Sequence, residues 1–309
     1  MRQYRRAASE LNGLPGLLGT FRGVRRRGNT WTGEQTLTCF VRRKLARSRI
    51  PRDEQIPRQL NGVPTDVLAI GRPRLHADVD ASDLLVTSYG RARKSSISAL
   101  VEHPNGGMVA LGSGHGLLPI QHGAYLPGRW GAGENEVRVV DEDLSPGGLW
   151  FGQIGNDTDF AVARFLDLEP PTALMGHTLA AAPILLAPRR VAKHDIVQHV
   201  AARRGYRITG RIVAENISGK AFTLRSSDGI DVTYHDVIAV IGERVRFSLP
   251  GESGSLVFDE HRRALGFVVG GGVDPDDPEV AISFVLRDFT RLELGLDRLF
   301  RSFFTRSAQ

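Results

Sequence analysis

The sequence predicts an all-β protein built from two β units. Glycine accounts for 35 and proline for 16 of the 309 residues, a composition that favours many turns over long helices. Short apolar runs bounded by Gly, Asn, Asp or Pro fall into two groups, one between residues 96 and 165 and one between 206 and 286. This spacing is typical of a β-barrel or a β-sandwich. The length suits two ordinary domains, or one domain with an extension.

Each group holds about half a dozen candidate strands. The clearest runs of the first group are residues 96–102, 108–111, 136–141 and 160–165. The second group consists of residues 206–213, 221–225, 230–234, 237–241, 256–258, 264–269 and 280–286.

The two ends of the chain differ from these groups. Residues 36–44, TLTCFVRRK, alternate as a strand does, and residues 62–71 predict a turn that leads into another strand, so residues 1–75 form a small accessory segment. At the other end, large apolar residues recur at three- and four-residue steps, which predicts an amphipathic C-terminal helix with a docking face. They are Leu286, Phe289, Leu292, Leu296, Leu299, Phe300, Phe303 and Phe304.

Cysteine content and hydropathy indicate the compartment. The single cysteine, Cys39, has no partner for a disulfide within the chain, which favours a reducing environment. No apolar run of signal-peptide length follows the first ten residues, and the longest apolar stretch, residues 179–188, is too short to span a bilayer. We therefore expect no membrane span and a cytoplasmic location.

Charge is concentrated at the start of the chain. The net charge is +6, yet residues 1–50 hold 12 Lys and Arg against 2 acids. A cationic segment of this kind predicts weak polyanion binding, although an arginine-rich solvated surface explains the same composition.

Residues 250–272, PGESGSLVFDEHRRALGFVVGGG, carry the strongest functional signal. A turn with glycines on both sides of Glu252-Ser253 leads into a strand, a charged turn and a second apolar strand. Glycines suit a turn that must aim successive backbone N–H groups at one point. Here the chain resembles the trypsin and chymotrypsin clan of serine peptidases, whose nucleophile lies in a Gly-Asp-Ser-Gly turn. The resemblance implies that Ser253 is the nucleophile, with the N–H groups of Gly251 and Ser253 as the oxyanion hole.

A serine nucleophile of this type needs a histidine base and a carboxylate that orients it. His115 follows an apolar strand in the sequence LGSGH, and Asp159 begins the sequence DFAVA, as the family's histidine and aspartate do. His115 precedes Asp159 by 44 residues and Asp159 precedes Ser253 by 94, which is the chymotrypsin order rather than that of subtilisin or the α/β-hydrolases.

Other residues compete for two of these roles. His103 and His122 are alternatives to His115, and Asp157 and Asp167 are alternatives to Asp159. The nine histidines show no close ligand pair with a carboxylate or thiol, so no metal and no cofactor are expected.

The resemblance extends from about residue 85 to residue 300 and is closest to an intracellular, disulfide-free branch found in bacteria and related to the plant NARROW LEAF protein. Residues 41–45, 56–57 and 62–67 are similar to its N-terminal segment. Two departures stand out: residues 113–116 are Ser-Gly-His-Gly where the branch has Asn-Asn-His-Val, and Glu252 replaces the usual aspartate.

The family implies two antiparallel six-stranded β-barrels with the active site in the cleft between them. The small N-terminal α+β extension is residues 1–75, the first barrel residues 76–180 and the second barrel, with the C-terminal helix, residues 181–309. The expected function is a serine endopeptidase that acts on protein or peptide substrates. The alternative is an inactive scaffold of the same fold that holds an anionic partner.

The family's substrate pocket falls on four residues of this chain when it is aligned without gaps. They are Phe247, Val269, Gly270 and Gly271. No acid lies between Arg244 and Gly251, so we expect cleavage after apolar or small residues rather than after Lys or Arg. No activation site of the secreted kind is visible, and the intact chain is expected to be active.

Overall fold

The computed structural model describes the chain except for residues 29, 77–85, 88–92, 94, 97, 103–107, 132–134, 139–146, 156, 166–194, 202–205, 217–219, 261–263 and 288–309. Strands dominate the described residues, and the all-β prediction is confirmed. Within them, no helix is both apolar enough and long enough to cross a bilayer. Leu286, the first residue assigned to the predicted C-terminal helix, instead ends the strand Ala281–Leu286, and the other residues of that helix lie outside the described residues.

The N-terminal segment combines one helix with two long and three shorter strands. Its elements are α1 (Arg2–Leu11), β1 (Leu17–Arg27), β2 (Thr30–Val41), two 3-10 turns (Arg47–Arg49 and Arg52–Glu54), β3 (Gln59–Leu60), β4 (Val63–Ala69) and β5 (Arg74–Leu75). The helix buries Ala7, Ala8 and Leu11 against Leu37 and Val63. Both strands predicted here are present, as β2 and β4.

The first β unit carries the predicted histidine and aspartate. Its elements are β6 (Val86–Thr87), β7 (Ala99–Glu102), β8 (Met108–Gly112), α2 (Gly114–Leu117), β9 (Ile120–Gln121), β10 (Ala124–Tyr125), β11 (Gly128–Arg129), β12 (Glu136–Arg138), β13 (Gly147–Gly155) and β14 (Thr158–Phe165). The sheet runs β6-β12-β13-β14-β8-β7, and β11 pairs with β13. Its ladders are antiparallel.

The second β unit contains a closed six-stranded barrel. Its elements are β15 (Ile196–Ala201), β16 (Tyr206–Asn216), β17 (Phe222–Arg225), β18 (Asp231–Tyr234), β19 (Val237–Gly242), β20 (Leu256–Asp259), β21 (Ala264–Val273) and β22 (Ala281–Leu286). The barrel closes antiparallel in the order β15-β16-β19-β22-β21-β20 and back to β15. Val197, Ile212, Val257 and Val285 are among the residues that fill it.

The N-terminal segment is continuous with the second unit. Strand β1 pairs with β16, so the sheet of the barrel extends through β1, β2 and β4. The rings of Phe21 and Phe40 from the segment pack edge to face, with centroids 4.8 Å apart, and both contact Phe222 and Phe284 of the second unit. Aromatic pairs of this geometry add to the burial of apolar area. The segment is thereby anchored beside the cleft.

Candidate active site

The turn that holds Ser253 depends on two glycines with left-handed backbones. Gly251 has φ 92° and Gly254 has φ 89°, values that strain any other L-residue. A Cβ added at Gly254 would lie 2.5 Å from the carbonyl oxygen of Ser96. The Gly-x-Ser-Gly pattern therefore reflects both the turn conformation and a close approach by the first unit.

Serines of the first unit hold this turn in place. Ser96 N donates to Ser253 O at 2.7 Å, and Ser95 Oγ donates to the same oxygen at 3.0 Å. The hydroxyl of Ser98 donates to the carbonyl of Gly254. All three serines are buried, so their hydrogen bonds satisfy carbonyl groups that water does not reach.

The structure brings His115, Asp159 and Ser253 into one hydrogen-bonded chain. Ser253 Oγ lies 2.6 Å from His115 Nε2, and Asp159 Oδ2 lies 2.5 Å from His115 Nδ1. The second carboxylate oxygen of Asp159 accepts a hydrogen bond of 2.8 Å from His115 N. Each of the three residues is 0% exposed. A carboxylate on Nδ1 fixes the tautomer in which Nε2 is free to take a proton from the hydroxyl.

The competing residues lie elsewhere or outside the described residues. Asp157 has φ 64° and accepts hydrogen bonds from the backbone N–H groups of His235 and Asp236, so it is a turn residue that ties the two units together. His122 is exposed, also with a positive φ. His103 and Asp167 fall outside the described residues.

Glycines beside His115 allow its tight placement. A Cβ on Gly114 would lie 2.9 Å from Asp159 Oδ1, and one on Gly116 would lie 2.6 Å from the Cβ of Ser95. The departure from Asn-Asn-His-Val therefore removes side chains where the backbone packs closely. Arg93, which is buried, donates to His115 O at 3.0 Å and to the carbonyl of Leu118, and so fixes the end of α2.

Tyr234 is a buried residue at this site that the sequence analysis missed. Its hydroxyl donates to Asp159 Oδ2 at 2.6 Å. Burial, and next the negative charge of Asp159, raise the pKa of Tyr234 well above its ordinary value, so the phenol remains a donor. In the sequence, Tyr234 only ends a strand in which polar and apolar residues alternate, and this pattern does not indicate a hydrogen bond to Asp159.

The predicted oxyanion donor Gly251 has a partner just after strand β5. Its N–H donates to the carbonyl oxygen of His76. The backbone N–H of His76 in turn donates to Val269 O at 3.2 Å. Ser253 Oγ also lies 3.1 Å from Val269 O, so Ser253 and the backbone of His76 contact the same carbonyl oxygen.

The predicted pocket residues divide into two sets. Gly271 lines an open cleft of about 370 Å³, and Val269 and Gly270 are its neighbours on β21. Phe247 does not line that cleft: its buried ring packs 4.6 Å from the ring of His199, inside the barrel. Ser248, the next residue, lines the cleft instead. Phe247 therefore lies away from this cleft, and a role of the four residues in binding substrate stays a prediction.

Comparison with known proteins adds similarity of fold. No protein-family model and no curated protein matches the sequence. A chymotrypsin from Cellulomonas bogoriensis is similar in structure, with a TM-score of 0.42 and 17% identity over 71% of this chain and 96% of that one. Protease A from Thermobifida fusca gives a TM-score of 0.41 and 17% identity, over 68% of this chain and 91% of its own. A protease from Nocardiopsis has a TM-score of 0.41 and 15% identity, over 74% of this chain and 95% of that one.

The strands of this chain themselves define a mostly β fold with a closed six-stranded barrel. The similarities are to a chymotrypsin and two proteases. They do not support the finer resemblance to the branch related to the NARROW LEAF protein. At identities and TM-scores this low, function has to be inferred from the chain's own residues. Within the described residues, no three His, Cys, Asp or Glu side chains are placed to hold a metal ion.

Proposed function

We propose that the protein is a serine endopeptidase with Ser253 as nucleophile, His115 as general base and Asp159 as the carboxylate that orients the base. The observation that carries the proposal is the hydrogen-bonded chain from Asp159 Oδ2 through both ring nitrogens of His115 to Ser253 Oγ, with links of 2.5 and 2.6 Å. Three side chains from separate parts of the sequence rarely meet in this order without an acyl-transfer role.

The reaction divides into two steps. His115 Nε2 takes the hydroxyl proton as Ser253 Oγ attacks a peptide carbonyl carbon, and it then gives that proton to the leaving amine. Water, deprotonated by the same nitrogen, next hydrolyses the acyl-enzyme. Asp159 stabilises the imidazolium that forms in each step, and the N–H groups of Gly251 and Ser253 stabilise the oxyanion.

The partner of Gly251 supports its role in the oxyanion hole. Its N–H already donates to a peptide carbonyl oxygen, that of His76, beside the nucleophile. When a serine adds to a carbonyl carbon at this position, the carbonyl oxygen becomes an oxyanion. The N–H group of Gly251 is then placed to donate a hydrogen bond to it.

The cleft favours a peptide without a basic side chain at the bond to be cut. Arg72, Arg74 and Arg246 are among its lining residues, and none of the lining residues that the structure describes is acidic. A lysine or arginine inserted there would be desolvated beside like charge. The preference for uncharged residues, apolar or small, is therefore kept as part of the proposal.

A second candidate is an inactive scaffold of the same fold. The burial of Ser253 and His115, both 0% exposed, favours it, because a substrate cannot reach a covered nucleophile. Its polyanion-binding arm has less support: Arg22, Arg26 and Arg43 of residues 1–50 pair with Glu215, Asp277 and Asp276, respectively. Weak polyanion binding stays a prediction.

Peptide hydrolysis separates the two candidates. A library of unstructured peptides, analysed by mass spectrometry, should be cut by the purified protein and left intact by Ser253→Ala, whose circular dichroism should match the parent. Equal cleavage by both proteins would remove Ser253 from the mechanism. Cuts mainly after Lys or Arg would overturn the proposed preference.

A further inference from the structure

Strand β5 forms part of the wall of the cleft and is an added strand of the sheet. Arg74 pairs with Arg225 of β17 in parallel on one side and with Gly271 of β21 in antiparallel register on the other. The register continues with Leu75 opposite Gly270. An extended segment that adds to a sheet edge in this way uses the recognition mode by which many proteins bind peptides.

The backbone of His76 completes this pairing at the site itself. Its N–H donates to Val269 O at 3.2 Å, one step further along the register, and its carbonyl oxygen accepts from Gly251 N. Val269 O is also the carbonyl 3.1 Å from Ser253 Oγ. The carbonyl of His76 therefore lies where the proposed mechanism needs the carbonyl of the bond to be cut.

The side chain of His76 fills a pocket formed by small residues. Its Nδ1 lies 3.1 Å from Ser248 Oγ, which in turn donates to Ser283 Oγ at 2.7 Å. Because a hydroxyl has one hydrogen, Nδ1 is the donor in its contact with Ser248. A Cβ on Gly271 would lie 2.7 Å from Cε1 and Nε2 of the ring, so only glycine leaves room for the imidazole.

We infer that the chain is its own first substrate, and that Ser253 cleaves the peptide bond that follows His76. The inference rests on the proposed function and adds a defined cleavage site to it. Pairing with β21, the filled pocket and the contact with Gly251 are independent features, and all three place the same residue on the acyl side of the scissile bond.

The cleavage step balances with water alone. Ser253 Oγ forms an ester with the carbonyl carbon of His76, the C–N bond to Ala77 breaks, and the hydroxyl proton passes through His115 to the amine. Hydrolysis then returns Ser253 and leaves a carboxylate on His76. Residues 1–76 stay bound after the cut, because β1 and β2 belong to the sheet of the second unit.

This site changes one expectation from the sequence. The intact chain was expected to act on other substrates without cleavage, but in the intact chain residues 74–76 occupy the substrate position. Because the reacting groups are held together, the first cut is intramolecular and its rate does not depend on protein concentration.

Denaturing mass spectrometry of the freshly purified full chain tests the inference. We expect two fragments, residues 1–76 and 77–309, which elute together under native conditions and separate in denaturant. Ser253→Ala should stay intact. His76→Lys should also stay intact, because a cation does not fit a pocket bordered by arginines. His122→Lys, the same change at an exposed histidine, should be cut like the parent.

A fluorophosphonate probe distinguishes failure of the inference from failure of the proposed function. If Ser253 reacts with the probe while the chain stays intact, is cut at another bond, or is cut at a rate proportional to its concentration, the inference is overturned and the peptidase remains. If Ser253 reacts neither in the parent nor in His76→Lys, both are overturned. A faster reaction of His76→Lys than of the parent supports the inference, since in the parent the strand that ends at His76 stays bound after the cut and covers Ser253.

Discussion

Tyr234 and Asp159 are joined by a 2.6 Å hydrogen bond in which the phenol donates to Oδ2, the carboxylate oxygen that faces His115 Nδ1. The bond spans 75 residues of sequence and links β18 of the second unit to β14 of the first. A donor on that oxygen draws electron density from it. We therefore propose that Tyr234 is a positioning residue that holds this carboxylate oxygen in place.

Tyr234→Phe should lower kcat/KM for peptide hydrolysis by about tenfold, roughly the 1.4 kcal/mol that one hydrogen bond to a charged group contributes. The free carboxylate then stabilises the imidazolium of His115 more strongly. We expect the rising limb of the pH–rate profile to move to higher pH, which a loss of packing alone would not cause.

Tyr4→Phe on α1 is the matched control for this substitution, and it should leave rate and profile unchanged. An unshifted profile in Tyr234→Phe would contradict the role of its hydroxyl, whatever happens to the rate.

Asp159→Asn should lower kcat by about four orders of magnitude, the size of effect that a wrong histidine tautomer produces in such sites. An amide oxygen can still accept from His115 N, but its NH₂ group would then face Nδ1 and force the proton onto Nε2. Asp157→Asn, two residues away in the turn, should keep the rate within about threefold of the parent. Similar losses in the two variants would show that the carboxylate of Asp159 has no special part.

Gly254→Ala tests the close approach of the two units. Gly254 and Gly229 both have positive φ, 89° and 81°, but a Cβ meets nothing within 4 Å at Gly229 and meets Ser96 O at 2.5 Å at Gly254. Gly229→Ala should lower the free energy of unfolding by about 1 kcal/mol from backbone strain alone. Gly254→Ala should lower the free energy of unfolding by about 3 kcal/mol and should also abolish peptide hydrolysis. Equal losses in urea unfolding would contradict this packing.

The sequence predicted the parts of the site that have a local pattern. Ser253 was identified because its Gly-x-Ser-Gly turn resembles that of the serine peptidases, and His115 and Asp159 because each borders an apolar strand as the family's residues do. The strand groups followed from turn residues and alternation. In each case the signal lies within a few residues of the one it identifies.

The rest of the site could not be predicted because it depends on contacts between distant residues. Ser95 lies 158 residues from the carbonyl it bonds, and Tyr234 lies 75 from its carboxylate. The position of His76 beside Ser253 depends on backbone hydrogen bonds to Val269 and Gly251. Backbone hydrogen bonds of this kind leave no pattern of side chains in the sequence. Phe247 was predicted to face the cleft and Ser248 lines it instead, because a one-residue shift reverses which side chain faces it.

His76 predicts how stability depends on pH. Burial, and next the charges of His115 and His199, lower the pKa of His76 to about 3 in the folded protein. The unfolded chain takes up a proton near the ordinary value of 6.5, whereas the folded chain does not. The contribution of His76 is therefore complete above that value and is lost as pH falls from 6.5 towards 3.

Urea unfolding in the Ser253→Ala background, where the chain stays intact, measures this contribution. From about pH 7.5 to about pH 5, the free energy of unfolding should fall by about 2 kcal/mol more than in the same protein with His76→Gln, whose side chain does not titrate. His115 and His199, which act on the pKa of His76, and the arginines that line the cleft are present in both proteins, and Ser248, Ser283 and Gly271 do not titrate. An equal fall in the two proteins would mean that His76 is not held unprotonated.

Reaction with a fluorophosphonate probe, followed by peptide mapping, shows whether Ser253 is the nucleophile, because the probe requires an activated serine. We expect one adduct, on Ser253, that forms faster in His76→Lys than in His122→Lys. It should be absent from Ser253→Ala and slowed by about a thousandfold or more in His115→Ala, where the base is missing. An adduct that persists in Ser253→Ala, or no adduct on Ser253 in any of these proteins, would contradict the account.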